Sequence, residues 1–196
     1  MHYKRFIIKN YRAIVGPLEI DLANSHLTPI IGVNESGKTT ILHAIYAFDS
    51  FNDKLNDGRH LQDTSNLYRS SSPPATIEAV VEMTKAELDD AISRCEEGNE
   101  PLRPHLTELK KSRKLPLTVT IRRDLKTLKY SLDSDRFGPP QLQHALAIQI
   151  TLGLPYILFF DDFRDGRSGP RAGQPYFFGR IQANGFQVDP VLSAQG

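Results

Sequence analysis

The chain has 196 residues, enough for one domain with a substantial core, and its formal net charge of +1 announces no polyanionic partner. Apolar residues make up 39% and charged residues 24%, and the single cysteine, Cys95, excludes an intrachain disulfide and suits a reducing compartment. The first ten residues carry no apolar segment of leader length, and no run approaches the roughly 20 apolar residues that cross a bilayer. A soluble, cytoplasmic protein with no membrane partner is expected.

Phe6-Ile7-Ile8 is a short apolar run and Leu18–Leu22 alternates strictly, so strands are expected on either side of a Gly16-Pro17 turn. A third strand, Leu27–Ile31, runs into Gly32, although Pro29 withholds an N–H that a central strand needs. The spacing then predicts a helix over Lys38–Phe51, with Ile41, Ile45 and Phe48 on one face and Leu42 and Ala44 widening it. Asn52–Pro74 is polar and rich in Asp, Asn and Ser, and reads as a loop or mobile insertion.

Ile77–Met83 returns to alternation as a strand. Thr84 and Glu87 fit a capping box, followed by Leu88, Ala91, Ile92 and Cys95 at helical spacing. A short helix is expected over Leu106–Lys114, and two strands, Leu117–Ile121 and Leu128–Leu132, flank a charged turn. Gln141–Leu152 reads as a helix with Leu142, Leu146 and Ile150 on one face, and Pro155–Phe160 as a buried strand. From Arg164 onward Gly and Pro recur without any sustained period, so this part reads as irregular or disordered.

Gly32-Val33-Asn34-Glu35-Ser36-Gly37-Lys38-Thr39 matches the P-loop string G-x-x-x-x-G-K-[ST] at every fixed position, between a strand and an amphipathic helix. Gly32 and Gly37 permit backbone angles that turn successive N–H groups inward, forming an anion nest at the positive end of the helix. Lys38 then sets an ammonium between the β- and γ-phosphates of a nucleoside triphosphate. The Thr39 hydroxyl is the expected magnesium ligand, and Asn34 and Ser36 can add side-chain hydrogen bonds. ATP with Mg2+ is the expected cofactor. The fold class implied is α/β: a P-loop NTPase with a mixed β-sheet over residues 1–162 and a Gly/Pro-rich tail over 163–196.

The segment Phe6–Ile14, then Leu18–Leu22, then Asn34-Glu35-Ser36-Gly37-Lys38-Thr39-Thr40 resembles the opening of the ABC-class ATPases of the OLD, RecF and SMC group. It looks most like the OLD branch, where Glu often follows that Asn. The resemblance is good over about residues 3–50 and looser from 76 to 162. It implies a nucleotide contact for Arg12 and brings Glu35 and Thr40 into the binding loop. It also implies a DNA partner, a role in repair or phage defence, and either a head-to-tail homodimer or a second ATPase lobe. That group further requires a signature segment and a Walker B strand ending in Asp-Glu, both supplied late in the chain. Gly138-Pro139-Pro140-Gln141 and Leu192–Gly196 only faintly echo the signature.

Asp161-Asp162, after an apolar run, imitates Walker B, with Asp161 serving the magnesium shell and Asp162 polarising water alongside Lys38 in catalysis. The resemblance favours the other reading, a structural aromatic-Asp segment that OLD-like proteins carry here and that is not Walker B. Two readings follow. In one, the chain is the N-terminal ATP-binding lobe of an ATPase completed elsewhere. In the other it is a compact phosphotransferase or ABC-type subunit using Asp161 and Asp162. Lys110, Lys111, Arg113, Lys114, Arg122, Arg123, Lys126 and Lys129 form the most basic region, read as a solvated face or as a track for a DNA backbone. No N-K-x-D supports a GTPase, no metal-ligand spacing supports zinc, and no G-x-S-x-G supports a serine hydrolase.

Overall fold

The computed structural model describes residues 1–22, 29–31, 37–53, 61, 64, 66, 68, 73–111 and 115–157. All of them fall in one compact unit, Met1–Phe159. Five strands, β1 (His2–Lys9), β2 (Leu18–Asp21), β3 (Thr76–Glu82), β4 (Thr118–Asp124) and β5 (Tyr130–Leu132), make one sheet in the order β2-β1-β3-β4-β5. Every ladder in it is antiparallel. This corrects the expected mixed sheet over the described residues. Pro29, Ile30 and Ile31 of the third predicted strand lie outside any strand, and Ile31 is 90% exposed, as suits a segment whose proline cannot serve a ladder. Likewise 155–157, the described part of the strand expected over Pro155–Phe160, is not paired. The expected tail, 163–196, lies outside the described residues.

Alternation dictates which face is buried. Ile20, Phe6, Ala79, Ile121 and Leu132 line up across all five strands as a cross-strand row, and the last four are buried. One step along lies a second row, Leu18, Ile8, Ile77, Arg123 and Tyr130. The opposite face carries ion pairs instead: Arg5 with Glu19 and Asp21, Lys9 with Glu78, Lys4 with Glu82. One wet face and one dry face is the arrangement an antiparallel sheet permits. The β1–β3 register slips between Tyr3 and Arg5, which turns Tyr3 toward the core, where its ring meets Phe6 at 5.0 Å.

Helices α1 (Lys38–Tyr46), α2 (Lys85–Gly98), α3 (Arg103–Lys111) and α4 (Pro140–Leu152), with short 3-10 turns at Glu100–Leu102 and Asp135–Phe137, accompany the sheet. The capping box that starts α2 is present: Thr84 Oγ1 accepts from the Glu87 N–H at 3.3 Å, and Glu87 accepts from the Thr84 N–H at 2.7 Å. Leu88, Ala91, Ile92 and Cys95 are all buried, as their spacing predicts. Leu142, Leu146 and Ile150 of α4 are buried too. α4 packs on β5 and on α2, while α1 lies against β1.

One helix is shorter than predicted and another begins earlier. α1 ends at Tyr46 and a 3-10 turn at 50–53 follows, so the expected continuation to Phe51 is broken. Its buried side consists of Ala44, Tyr46 and, just beyond, Ala47 and Phe48, whereas Leu42 is exposed. α3 begins at Arg103, three residues before the expected Leu106, and runs to Lys111, while 112–114 of the expected helix lie outside the described residues. Within the polar stretch expected as loop, Asn52 and Asn66 are buried and donate to backbone carbonyls, Asn52 to Tyr46 and Ile157, Asn66 to Ile14. These asparagines tie the segment to the core.

Candidate functional site

The first helix begins on Gly37, which adopts φ 86° and ψ 10°, the left-handed region. A Cβ there would meet nothing within 4 Å, so conformation, and not crowding, calls for glycine. The helical ladder opens with the Ile41 N–H donating to the Gly37 carbonyl at 3.1 Å. No side chain caps this end and no acid occupies the first turn. Among the described residues, then, the helix start itself adds no negative charge to the positive end of its dipole. Lys38 and Thr40 are half-buried and Thr39 is exposed. The other loop residues expected to bind, Gly32, Asn34, Glu35 and Ser36, lie outside the described residues, as do Asp161 and Asp162.

Arg12 reaches the same helix from the turn after β1. Asn10 and Arg12 hold φ 56° and 49°, a rare conformation for residues with a Cβ. The turn is held by Tyr11, fully buried beneath it, and by the Ile14 N–H donating to the Tyr11 carbonyl at 2.8 Å. Burial raises the Tyr11 phenol above its usual range, against the neighbouring Arg12 charge. The Arg12 guanidinium sits 5.2 Å from the Tyr11 ring centroid, and its NH1 lies 3.0 Å from Nδ1 of His43. His43 follows Thr39 by four residues, on the same side of α1 one turn on. The arginine that the family resemblance singled out thus stands beside the helix that carries Lys38 and Thr39.

The far end of α1 is held by a buried polar network that sequence reasoning missed. Arg123 was expected in the basic surface region, yet it is fully buried. Val119, Ile121 and Arg123 share strand parity, so Arg123 turns inward with its apolar neighbours. NH1 donates to the Ala47 carbonyl at 2.6 Å, NH2 pairs with Asp53, and the guanidinium lies 5.2 Å from the Tyr130 centroid. Tyr130 in turn donates to the Phe48 carbonyl at 2.5 Å and accepts from the Ser50 N–H at 2.9 Å. Asp49 is buried nearby; desolvation raises its carboxyl above the usual range, against bonds from the Phe51 and Ile157 N–H groups and the charge of Arg123. Strand parity was the signal that could have found Arg123.

The remaining basic residues divide. Lys110 pairs with Glu96 at 2.5 Å, and Arg122, Lys126 and Lys129 are exposed. Arg113 and Lys114 lie outside the described residues. Gly138-Pro139-Pro140-Gln141 forms the entry to α4, with Gly138 at φ 87° and its carbonyl accepting from Gln143 at 2.8 Å. Cavities of about 340 and 380 Å3 open beside Asp133–Phe137 and beside Asp49–Phe51, and neither is lined by Lys38 or Thr39. Among the described residues no group of three or more His, Cys, Asp or Glu is placed to hold a metal, and no helix is long and apolar enough to cross a membrane.

A protein-family model described as an AAA ATPase domain matches residues 1–103. No curated protein matches the chain.

Proposed function

The chain belongs to the AAA ATPase domain family, and from that premise we propose that it binds ATP with magnesium as the N-terminal lobe of an OLD- or RecF-like ATPase acting on DNA. The observation that carries this reading is the junction at Gly37. The fixed positions of the P-loop string run through a left-handed glycine into an uncapped helix start, with Lys38 and Thr39 as its first residues. An anion of high charge density suits that end: the first-turn amides point toward it, Lys38 adds a positive charge, and the first turn of the helix holds no acid.

In this reading Lys38 contacts the β- and γ-phosphates and Thr39 would hold magnesium, which neutralises the same oxygens when bound. Asn34, Glu35 and Ser36 precede Gly37 in the same string, and Thr40 follows Thr39 in the first turn of α1. The DNA role, in repair or phage defence, rests on the likeness of Phe6–Ile14 and Asn34–Thr40 to that group. The sequence matches neither the group's signature nor an Asp-Glu Walker B, so hydrolysis requires groups from a second lobe or a head-to-tail partner.

Titration calorimetry with ATP and magnesium tests the proposal. Binding is expected, and Lys38→Ala should weaken it by at least about 2 kcal/mol, the scale of a lost charge-assisted contact. Thr39→Ala should reduce the dependence of affinity on magnesium. A folded protein that takes up no purine triphosphate would defeat this reading. Rapid turnover by the isolated chain, abolished by Asp162→Asn, would instead favour a self-sufficient enzyme.

A further inference from the structure

We propose that His43 is a positioning residue that turns Arg12 toward the triphosphate, an inference that rests on the nucleotide reading above. An arginine side chain donates and never accepts. NH1 lies 3.0 Å from Nδ1 of His43, and the two form a hydrogen bond in the tautomer that keeps Nδ1 unprotonated and able to accept. A guanidinium has five N–H donors in a rigid plane, and one bond at NH1 fixes the orientation of the others.

The rest of the surroundings serve the same end. Asn10 and Arg12 both hold left-handed angles, and the buried Tyr11 ring gives the guanidinium a face to lie against. Such backbone angles are costly for residues with a Cβ and persist where the surroundings impose them. His43 closes the arrangement from α1. Four residues of helix span about 6 Å, so His43 stands about one turn from Thr39, and the guanidinium bonded to it would meet a phosphate held at that end. Arg12 is then the contact with the nucleotide, and His43 acts through it.

The test is a double-mutant cycle read by ATP affinity in magnesium, on the full chain, with melting curves confirming that each variant folds. His43→Leu, which removes the acceptor, is expected to bind about tenfold more weakly, the size of one lost hydrogen bond to a charged group. His43→Gln, which keeps an acceptor, should recover to within about threefold of the parent. In an Arg12→Ala background His43→Leu should have no further effect, because the residue it positions is gone. Nitrogen-15 spectra of the nucleotide-free chain should show His43 Nδ1 unprotonated.

Equal binding by His43→Leu and the parent overturns the proposal, as does failure of His43→Gln to recover or a protonated Nδ1. A parent chain that binds no ATP defeats both this proposal and the nucleotide reading. Binding that Lys38→Ala destroys and His43→Leu leaves untouched defeats this one alone.

Discussion

Arg123 on β4 donates to the carbonyl of Ala47, just past the end of α1, at 2.6 Å, from a position with no exposed surface. A cation at that end of a helix meets the negative pole of its dipole. Asp53 balances the charge and Tyr130 covers it from the side, so a strand residue from the sheet's second half anchors the helix whose first residue is Lys38.

Arg123→Met should therefore cost about 3 kcal/mol in urea unfolding, because removing one partner leaves Asp53 and the Ala47 carbonyl without their donor. Adding Asp53→Asn should recover part of that loss. Equal stability of parent and Arg123→Met would show that the network contributes nothing. Arg123→Lys should recover little, since a single ammonium cannot reproduce the guanidinium's divided contacts to Ala47 and Asp53.

Gly37→Ala separates backbone conformation from space. A Cβ fits there, but φ 86° is costly for alanine by roughly 1–2 kcal/mol. The substituted chain is expected to fold with a lowered melting temperature. Its ATP affinity should fall further than that strain alone implies, because relaxing the angle re-aims the amides at the helix start. Parallel calorimetry and thermal melts decide this; unchanged affinity would mean that the left-handed turn is not part of the phosphate site.

The acid limb of the stability curve should show two opposed contributions. Glu87 accepts from the chain's terminal ammonium and from the Thr84 N–H, which hold its carboxyl at about 2, below the usual 4.5. A lowered carboxyl stabilises the fold above the unfolded value, and this contribution is lost as pH falls from about 4.5 through 2. Glu87→Gln should flatten the curve in that window.

Asp49 runs the other way. Its raised carboxyl binds a proton more tightly when folded, so the ionised form costs stability at neutral pH, and that cost is relieved as pH falls through its folded value. Asp49→Asn keeps an oxygen for the Phe51 N–H and should be at least as stable as the parent at pH 7, with its advantage shrinking toward acid. Urea midpoints from pH 2 to 8 for both variants check the two signs. A less stable Asp49→Asn at pH 7 would show that the Arg123 charge outweighs burial.

What was legible in the sequence was local. Thr84 and Glu87 define the start of α2, four core positions of that helix follow from their spacing, and the alternation of Ile77–Met83 and Leu117–Ile121 gives β3 and β4 to within a few residues. The P-loop string is likewise confined to eight consecutive residues, and its last three, Gly37, Lys38 and Thr39, form the start of α1. Each of these features depends on neighbours no more than a turn or two away.

Tertiary structure decided the rest. Arg123 reads as surface charge beside Arg122 until β4 pairs with β3 and β5, when strand parity turns it into the core. Arg12 meets His43 across 31 residues of chain, and Tyr130 meets Phe48 across 82. The sheet is antiparallel through all five described strands, with β3 inserted between β1 and β4, an order that no local period encodes. Periodicity reports which face of an element is dry; which residue waits on the other side depends on how distant segments pair, and only the folded chain specifies that.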